Sequence, residues 1–288
     1  MKIAIIGSTG VLGQSLVPLL LKHNYEVLAL ARSMKKAKKL LPPKAEKQEY
    51  DLLAADDIEN LAEKLKGSDC VIHIATSIPS DFGKSSAWEL NNRLRTEGTR
   101  KLIDASIKAG VKRYIQQSII MAYSDGGDEW INEEHPLDET PDRELICAPV
   151  IEMEGMVKNI PDEKMDWFIL RGGIFVGQNT FQEKTFQDLK DGINIVTGNG
   201  ENYCSFIHVE DMADAILKSI ESESANTILN ITDKPVKQIE YLKTIAANIG
   251  APSPVQNQKL PAPPSFRCSN LRAQYTLNWK PTRKIYPF

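Results

Sequence analysis

Short apolar runs alternate with amphipathic stretches through the first two-thirds of the 288-residue chain. The alternation predicts six strands: Ile3–Ile6, Tyr25–Leu30, a short strand closed by Glu49-Tyr50, Cys70–Ala75, Lys112–Gln117 and Trp167–Leu170. Between them it predicts helices at Val11–Lys22, Met34–Leu41, Asp56–Lys66 and about Ser86 to Ala109. Strands separated by helices of this length pair in parallel through right-handed crossovers. The chain is therefore predicted to form an α/β fold with a doubly wound parallel sheet.

Three glycines, Gly7, Gly10 and Gly13, lie between the first predicted strand and helix. A helix N-terminus offers N–H groups and a partial positive charge that stabilise a phosphate. Gly7 would allow a tight turn, Gly10 a close approach of the pyrophosphate, and Gly13 packing of the helix against the sheet. This context predicts a Rossmann-type dinucleotide site, in which Ser8 and Thr9 add hydroxyl donors; glycines that serve packing alone are the alternative. The predicted cofactor-binding residues of the turn are Gly7, Ser8, Thr9, Gly10, Val11, Leu12 and Gly13.

The end of the second predicted strand bears on the choice of dinucleotide. An acidic residue there would accept hydrogen bonds from the adenosine ribose and favour NAD. The strand ends instead at Arg32, whose planar guanidinium suits a phosphate, and Lys35 and Lys36 follow it. This favours NADP as the cofactor, with NAD possible. The alternative is that the basic residues form only a solvated helix face.

Composition argues against binding to nucleic acids, membranes or metal ions. The formal net charge is -3 and the pI about 5.9, which does not suggest binding to nucleic acid or to an acidic membrane surface. No apolar run has membrane-spanning length, and the chain enters its first strand without a signal-peptide pattern. The four cysteines are far apart, without metal-ligand spacing. We expect a cytoplasmic protein with reduced thiols and no metal site.

Several further segments resemble one known family. They run nearly from end to end: "IIGSTGVLG", "DCVIHIA" (69–75), "EGTRKLIDASIKAGVKRYIQQS" (97–118), "FILRGGIFVG" (168–177), "SFIHVEDMADAI" (205–216) and "SNLRAQYTLNWKPT" (269–282). Together they resemble the extended or atypical short-chain dehydrogenases/reductases, the group containing NAD-dependent epimerases and dehydratases. The resemblance implies that Asp51 and Leu52 meet the adenine and that Ala75 lines the cofactor. It also implies a Rossmann domain (1–177 and 205–231) and a small C-terminal substrate lobe (178–204 and 232–288).

The same resemblance exposes a missing catalytic pair. In this family a tyrosine, its pKa lowered by a lysine four residues later, transfers the substrate proton. The corresponding segment, "LICAPVIEMEGMVKN" (145–159), contains no tyrosine, and its one lysine, Lys158, comes two turns too late. Ile146 or Cys147 occupies the tyrosine place, and Val150 or Ile151 the lysine place.

Two further family positions differ. Ile119 stands where a substrate-binding serine is expected, and Arg95 stands where the family has an asparagine, three residues before Gly98. The motifs that bind the cofactor in this family are thus retained, while the residues that transfer the proton are changed. This combination resembles the atypical branch of the family.

Other side chains are candidates for the missing chemistry. Ser118, at a strand end, could hydrogen-bond the nicotinamide or the substrate, and Tyr123 could replace the phenol if its loop folds over the nicotinamide. Arg171 could clamp an anionic group of the ligand, or pair with an acidic neighbour instead. Glu154 could act as a base, or be solvated or capping, and His73 is expected to be a satisfied core histidine.

Two functions from different classes remain open. The first is an NADP-preferring oxidoreductase that acts on a small molecule, with the proton supplied by water, Tyr123 or the substrate. The second is a redox-inert NAD(P) sensor or scaffold, which would explain the lost pair directly. An epimerase with the standard chemistry would need that pair. A homodimer is possible because it is the commonest soluble assembly.

Overall fold

A parallel sheet forms the centre of the protein, in a computed structural model that describes residues 1–54, 57–79, 84–193 and 195–286. Its seven strands, numbered along the whole chain, are β1 (Lys2–Ile6), β2 (Glu26–Ala31), β3 (Glu46–Glu49), β4 (Cys70–His73), β5 (Arg113–Ile119), β6 (Asp166–Gly172) and β11 (Thr227–Ile231). Their order is β3-β2-β1-β4-β5-β6-β11, and each adjacent pair is parallel. The predicted doubly wound fold is confirmed. The order reverses between β1 and β4, the switch point where such sheets bind ligands.

Helices cover both faces of this sheet. The α-helices are α1 (Val11–Lys22), α2 (Met34–Leu40), α3 (Ile58–Leu65), α4 (Glu89–Arg93), α5 (Thr99–Ala109), α6 (Glu144–Lys158), α7 (Phe181–Lys190), α8 (Val209–Glu221), α9 (Gln238–Ile249) and α10 (Leu271–Leu277). The shorter strands outside the sheet are β7 (Ile174–Val176), β8 (Ile195–Thr197), β9 (Tyr203–Cys204), β10 (Phe206–His208), β12 (Val236–Lys237) and β13 (Val255–Asn257). Asp56, with which the third predicted helix begins, lies outside the described residues.

Two apolar cores lie on opposite sides of the sheet. On one side, Leu16 and Leu20 of α1 pack with Ile216 of α8 against the strands. On the other side, Leu61 of α3 and Leu102 of α5 pack against the opposite face. The helices bury apolar residues three or four positions apart, and β1 and β4 are buried on both faces, as parallel strands require.

The long helix predicted from Ser86 to Ala109 is divided in the structure. A 3₁₀ turn (Ser85–Trp88) leads into α4, a π-helical turn follows at Leu94–Gly98, and α5 completes the segment. Gly110 ends it with a φ of 76°, in the left-handed conformation that glycine favours. A π turn widens the helix by one residue and is frequent at functional sites.

The segment 119–143, which follows β5, is a long connection held by short turns and bridges. It contains 3₁₀ turns at Ile120–Ala122 and Pro141–Arg143. Isolated bridges join Tyr123 to Leu137 and Ile131 to Cys268. The loop thereby lies across the carboxyl edge of the sheet and contacts the C-terminal segment.

The C-terminal third contributes to several apolar clusters. One contains Leu189, Val196 and Ile245 from the predicted substrate lobe, together with Val176 and Phe206 from outside its predicted bounds. Helix α10 instead returns to the main sheet, where its Ala273 and Leu277 join the core that contains α1 and α8. The division into two domains stays a prediction. Among the described helices, none has the length and apolarity needed to cross a bilayer.

Candidate functional site

The turn after β1 shows why two of its glycines are needed for the fold. Gly7 has a φ of 97°, and a Cβ atom there would lie 2.5 Å from the backbone nitrogen of Ala75. A Cβ atom on Gly13 would overlap the backbone of Ser8, so this glycine lets α1 pack on the turn itself, whereas packing on the sheet was predicted. A Cβ atom on Gly10 would approach only the Gly7 carbonyl oxygen, at 3.3 Å. Gly10 is exposed, so its lack of a side chain keeps the outside of the turn open.

The first turn of α1 is suited to an anion. No side chain caps it at Gly10, and it contains no acidic residue. Its first N–H groups have no acceptor within the helix and carry the positive end of the helix dipole. Thr9 and Val11 are half-buried beside this turn, and the side chain of Leu12 is in the core. Binding of a diphosphate by these residues stays a prediction.

Ser8 is the buried member of the turn. Its side chain is 0% exposed, and its Oγ has no hydrogen-bond partner within the described part of the chain. A buried hydroxyl without a protein partner is free to donate to a group that enters the turn, so its role at a phosphate stays a prediction.

The end of β2 presents positive charge to solvent. Arg32, Lys35 and Lys36 are all exposed, and the side chain of Arg32 makes no hydrogen bond or ion pair within the described residues. The Ser33 hydroxyl accepts a hydrogen bond from the Lys36 backbone N–H at 3.2 Å and caps α2. Ser33 therefore serves the fold, and Arg32 is left available for a ligand.

The predicted adenine contact follows β3. Asp51 is exposed, and its Oδ1 accepts a hydrogen bond from the Leu53 N–H at 3.1 Å. Leu52 is buried, with its carbonyl bonded to Lys101 Nζ at 3.0 Å. Its side chain contacts the π turn, because a Cβ atom on Gly98 would lie 2.8 Å from Leu52 Cδ2. The structure thus brings Asp51 to the same carboxyl edge of the sheet as Gly7.

Ser118, Tyr123 and Arg171 meet in one buried network around Glu154 of α6. Glu154 Oε1 accepts hydrogen bonds from Ser118 Oγ at 2.6 Å and from Arg171 Nε at 2.9 Å, and its Oε2 accepts from Arg171 Nη2 at 2.5 Å. Arg171 Nη1 also donates to the Tyr123 hydroxyl at 2.7 Å, and that hydroxyl donates to Asn230 Oδ1 at 2.8 Å. Ser118, Tyr123 and Glu154 are 0% exposed and Arg171 is 3% exposed.

This network changes how the three predicted residues can act. Arg171 pairs with an acidic neighbour, the alternative to a ligand clamp, and a contact with the cofactor would require that pair to break. Burial raises the pKa of Tyr123, although Arg171 opposes the shift. The family's catalytic tyrosine needs a lowered pKa, so the Tyr123 phenol is not prepared for proton transfer in that way. The roles of Ser118, Tyr123 and Arg171 at a ligand stay predictions.

The buried face of α6 that carries Glu154 is apolar in its first two turns. Cys147 and Val150 are fully buried and Ile146 is half-buried, and they pack with Ala122 and the partly buried Ile119. The positions assigned to the missing tyrosine and lysine therefore hold hydrocarbon or thiol groups. Burial raises the pKa of the Cys147 thiol, which keeps it in the unreactive neutral form.

Two buried polar residues that the sequence analysis does not assign to the site, Arg95 and His73, lie nearby. Arg95, on the π turn, is 5% exposed, and its Nη1 donates to Met153 Sδ at 3.9 Å. His73 is 1% exposed; its Nδ1 lies 3.1 Å from Gln116 Oε1, and its Nε2 has no partner among the described residues. The signal that could have identified Arg95 is the exchange of the family's asparagine for a longer, charged side chain.

Two further titratable side chains, Glu152 and His208, have structural partners. Glu152 forms a surface ion pair with Arg100 at 3.1 Å. His208 Nδ1 caps α8 by accepting from the Glu210 N–H at 3.3 Å. The described residues contain no group of three His, Cys, Asp or Glu side chains placed to hold a metal ion.

Comparison with known proteins agrees with this arrangement. The model of the NAD dependent epimerase/dehydratase family matches residues 3–232, which include the glycine turn, the buried network and β11. The chain belongs to this family. It is accordingly an NAD-binding oxidoreductase of the epimerase/dehydratase class.

Relatives within the class have several names. A 3-diazoavenalumate denitrifying reductase from Streptomyces sp is 28% identical, with 98% of this chain and 96% of that protein covered. An epimerase family protein from Mycobacterium leprae is 24% identical, with 88% and 79% covered. Both align with most of the chain, so the similarity extends beyond the cofactor-binding half.

Solved structures show the same fold. The dTDP-glucose 4,6-dehydratase DesIV from Streptomyces venezuelae, with NAD and TYD bound, superposes with a TM-score of 0.81 at 20% identity, with 99% of this chain and 93% of that chain covered. The UDP-glucose 4-epimerase from Thermotoga maritima, with UDP-glucose, has a TM-score of 0.81 at 18% identity, with 99% and 95% covered. At this identity they establish the fold alone.

Proposed function

We propose that this chain is an NADP-preferring oxidoreductase that reduces a small-molecule substrate without a Tyr-x-x-x-Lys pair. The observation that carries the cofactor preference is Arg32, which is exposed at the end of β2 without a protein partner among the described residues. A guanidinium at this position suits the 2′-phosphate of NADP, whereas the carboxylate that would select NAD is absent from it.

Reduction, as opposed to epimerisation or dehydration, is favoured by α6. Its inner face carries Ile146 and Val150 where the family's proton-transferring pair is expected. A relative covered over nearly its whole length has "reductase" in its name. Bound nicotinamide would supply the hydride, and the apolar wall of α6 would exclude water around it. Ser118 and Tyr123 are proposed to act as positioning residues through Glu154 and Arg171, with solvent or the substrate supplying the proton.

A second function, the redox-inert sensor, is favoured by a different observation. The hydroxyls of Ser118 and Tyr123 are both buried and already donate to Glu154 and Asn230. Such a protein would bind the dinucleotide tightly without turnover. The two functions share the cofactor site and differ only in whether hydride leaves the cofactor.

Cofactor preference is tested by thermal-shift titration with NADP⁺ and NAD⁺. A ligand that binds only the native state raises the unfolding temperature with its concentration. We expect a larger shift with NADP⁺, and loss of that preference in Arg32→Ala. Lys38→Ala, an exposed substitution on α2, is the matched control and should keep it. An unchanged preference in Arg32→Ala would remove Arg32 from the proposal.

Turnover is tested with NADPH deuterated at C4 of the nicotinamide and a panel of aldehydes and ketones. Deuterium in a reduced product, detected by mass spectrometry, is expected for an oxidoreductase. Tight NADPH binding with no deuterium transfer to any member of the panel would favour the sensor.

A further inference from the structure

Arg95 is a buried cation with few hydrogen-bond acceptors around its guanidinium. It lies on the π turn between α4 and α5, which packs against α6. The side chain is 5% exposed, and Met153 Sδ, at 3.9 Å, is its hydrogen-bond partner among the described residues. A guanidinium has five N–H donors, and a thioether is a weak acceptor. Most of the donors of Arg95 therefore lack a protein acceptor within the described chain.

The neighbouring charges do not neutralise Arg95. Glu154 is the carboxylate whose charge acts on it, but both oxygens of Glu154 are bonded to Arg171, and one also to Ser118. No ion pair joins Arg95 to an acid among the described residues. His73, on the sheet side, is held neutral because burial lowers its pKa to about 4. The cluster of Arg95, Arg171 and Glu154 thus has two positive charges and one negative charge.

A surplus charge in this position is costly. Buried charges in proteins are paired or coordinated, because desolvation of an isolated ion costs several kcal/mol. Burial lowers the pKa of Arg95 to about 10, against the opposing effect of Glu154, so the side chain stays charged at neutral pH. An anion that enters beside Arg95 would restore the balance and satisfy the free donors at once.

The surroundings favour a particular anion. Arg95 contacts Met153, which packs with Val150 and Cys147 in an apolar cluster on α6. These three side chains are fully buried, so a ligand that displaces Met153 from Arg95 would meet hydrocarbon beside one planar cation. A planar carboxylate on an apolar body matches both, because the guanidinium fork bonds a carboxylate through two parallel N–H groups.

We propose that Arg95 binds a carboxylate of the substrate where the π turn packs against α6. The inference rests on the proposed function, since it takes the bound molecule to be the one reduced. It names the substrate class as small carboxylic acids with an apolar body, and it makes Arg95 the residue that selects them.

Calorimetric titration tests the proposal with two ligands of nearly equal shape. The NADP⁺-saturated protein is titrated with benzoate and with benzamide, its uncharged counterpart, and we expect binding of benzoate alone. Arg95→Gln should weaken benzoate binding by about 10- to 100-fold, the effect of losing charged hydrogen bonds. Arg95→Lys should restore part of it. Arg100→Gln, which changes an exposed arginine one turn along, should bind benzoate as the wild type does.

A second measurement does not depend on the variants. Wild-type crystals with NADP⁺ and 4-bromobenzoate should show anomalous bromine density beside α6, with the carboxylate within hydrogen-bond distance of Arg95. Absence of benzoate binding, equal binding of benzamide, undiminished binding in Arg95→Gln, or a carboxylate located elsewhere would each overturn the inference. The benzoate titration is repeated without nucleotide, and the NADP⁺ thermal shift is recorded separately. Loss of that shift alone argues against the proposed function, and loss of benzoate binding alone against the role of Arg95.

Discussion

The buried carboxylate of Glu154 accepts hydrogen bonds from both Ser118 and Arg171. We predict that Glu154→Gln lowers the free energy of unfolding by about 3–5 kcal/mol, because it leaves the buried Arg171 cation without a counter-charge. Chemical denaturation measures the change. Glu152→Gln, two residues away on the exposed face, removes only a surface ion pair and should cost less than about 1 kcal/mol. Equal losses in the two variants would contradict this account of the network.

A substitution at Gly10 is expected to weaken dinucleotide binding much more than it affects folding. We predict that Gly10→Ala still folds, with a small loss of stability, because its φ of -76° suits any residue and the Gly7 carbonyl oxygen, 3.3 Å from the added Cβ, has to shift only slightly. The methyl group projects where a diphosphate would lie, so dinucleotide binding should weaken at least about tenfold, which is about 1.4 kcal/mol. Circular dichroism and cofactor titration measure the two effects. Gly7→Ala is the contrasting variant and should unfold at lower temperature even without cofactor, because of its positive φ.

Single residues could be selected from the sequence by type and position, but their partners could not. Ser118 and Arg171 were chosen because they end predicted strands, and both lie at the carboxyl edge of the sheet. Their shared bond to Glu154 depends on how α6 packs across β5 and β6, which local patterns do not encode. The burial of the Ser8 side chain could not be predicted either, because it depends on the close packing of Gly13 against the Ser8 backbone.

At the scale of elements, the first turn of α8 holds the end of the chain in place. The buried carboxylate of Asp211 accepts hydrogen bonds from the backbone N–H groups of Thr282 and Arg283, at 3.1 and 2.9 Å. It also pairs with the Arg283 side chain, and the Asp211 carbonyl oxygen accepts from Trp279 Nε1 at 3.2 Å. The segment 279–283 is thereby fixed against the helix.

We predict that Asp211→Ala releases this segment. Hydrogen exchange should become faster at Thr282 and Arg283, because their N–H groups lose their acceptor, while the sheet stays protected. Glu210→Ala is the matched control, since Glu210 is exposed and its carboxylate bonds only the Arg283 side chain among the described residues. Unchanged exchange at Thr282 and Arg283 in Asp211→Ala would show that α10 packing alone holds the segment.

Regular elements were predicted well because their periodicity is local. The bounds of α1 agree, and the predicted strands differ from the observed ones by one or two residues at the ends that were specified. The π turn at Leu94–Gly98 interrupts a helix whose sequence pattern is continuous, and its close contact between Gly98 and Leu52 is a tertiary feature that local periodicity does not encode. Strand β11 was missed because a short edge strand is defined by its pairing with β6.

At the scale of the whole molecule, His73 links stability to pH. The ordinary pKa of 6.5 applies in the unfolded chain, whereas burial lowers the pKa to about 4 in the folded protein. Between these values the unfolded chain binds a proton that the folded protein excludes, so stability falls as pH falls. The loss approaches about 3 kcal/mol between pH 6.5 and pH 4.

We predict that His73→Gln flattens the dependence of the free energy of unfolding on pH over this range. Carboxylates titrate in both proteins, so the difference between the two curves isolates the histidine. His23→Gln, which changes an exposed histidine, should leave the curve nearly parallel to that of the wild type. Denaturant titrations at several pH values give the curves, and coincident slopes for His73→Gln and wild type would exclude the linkage.

The wide turn at Leu94–Gly98 amounts to one surplus residue in an otherwise continuous rod. Excising one of the five would let this stretch return to the ordinary α-helical repeat, and the residues on either side would keep their phase because the wide turn absorbs the surplus residue. Asn91, which accepts the Ser77 N–H at 3.1 Å, would therefore stay beside the loop after β4, whereas Arg95 lies within the turn and its side chain would be redirected. The surplus residue thus sets the direction in which the charge of this segment points.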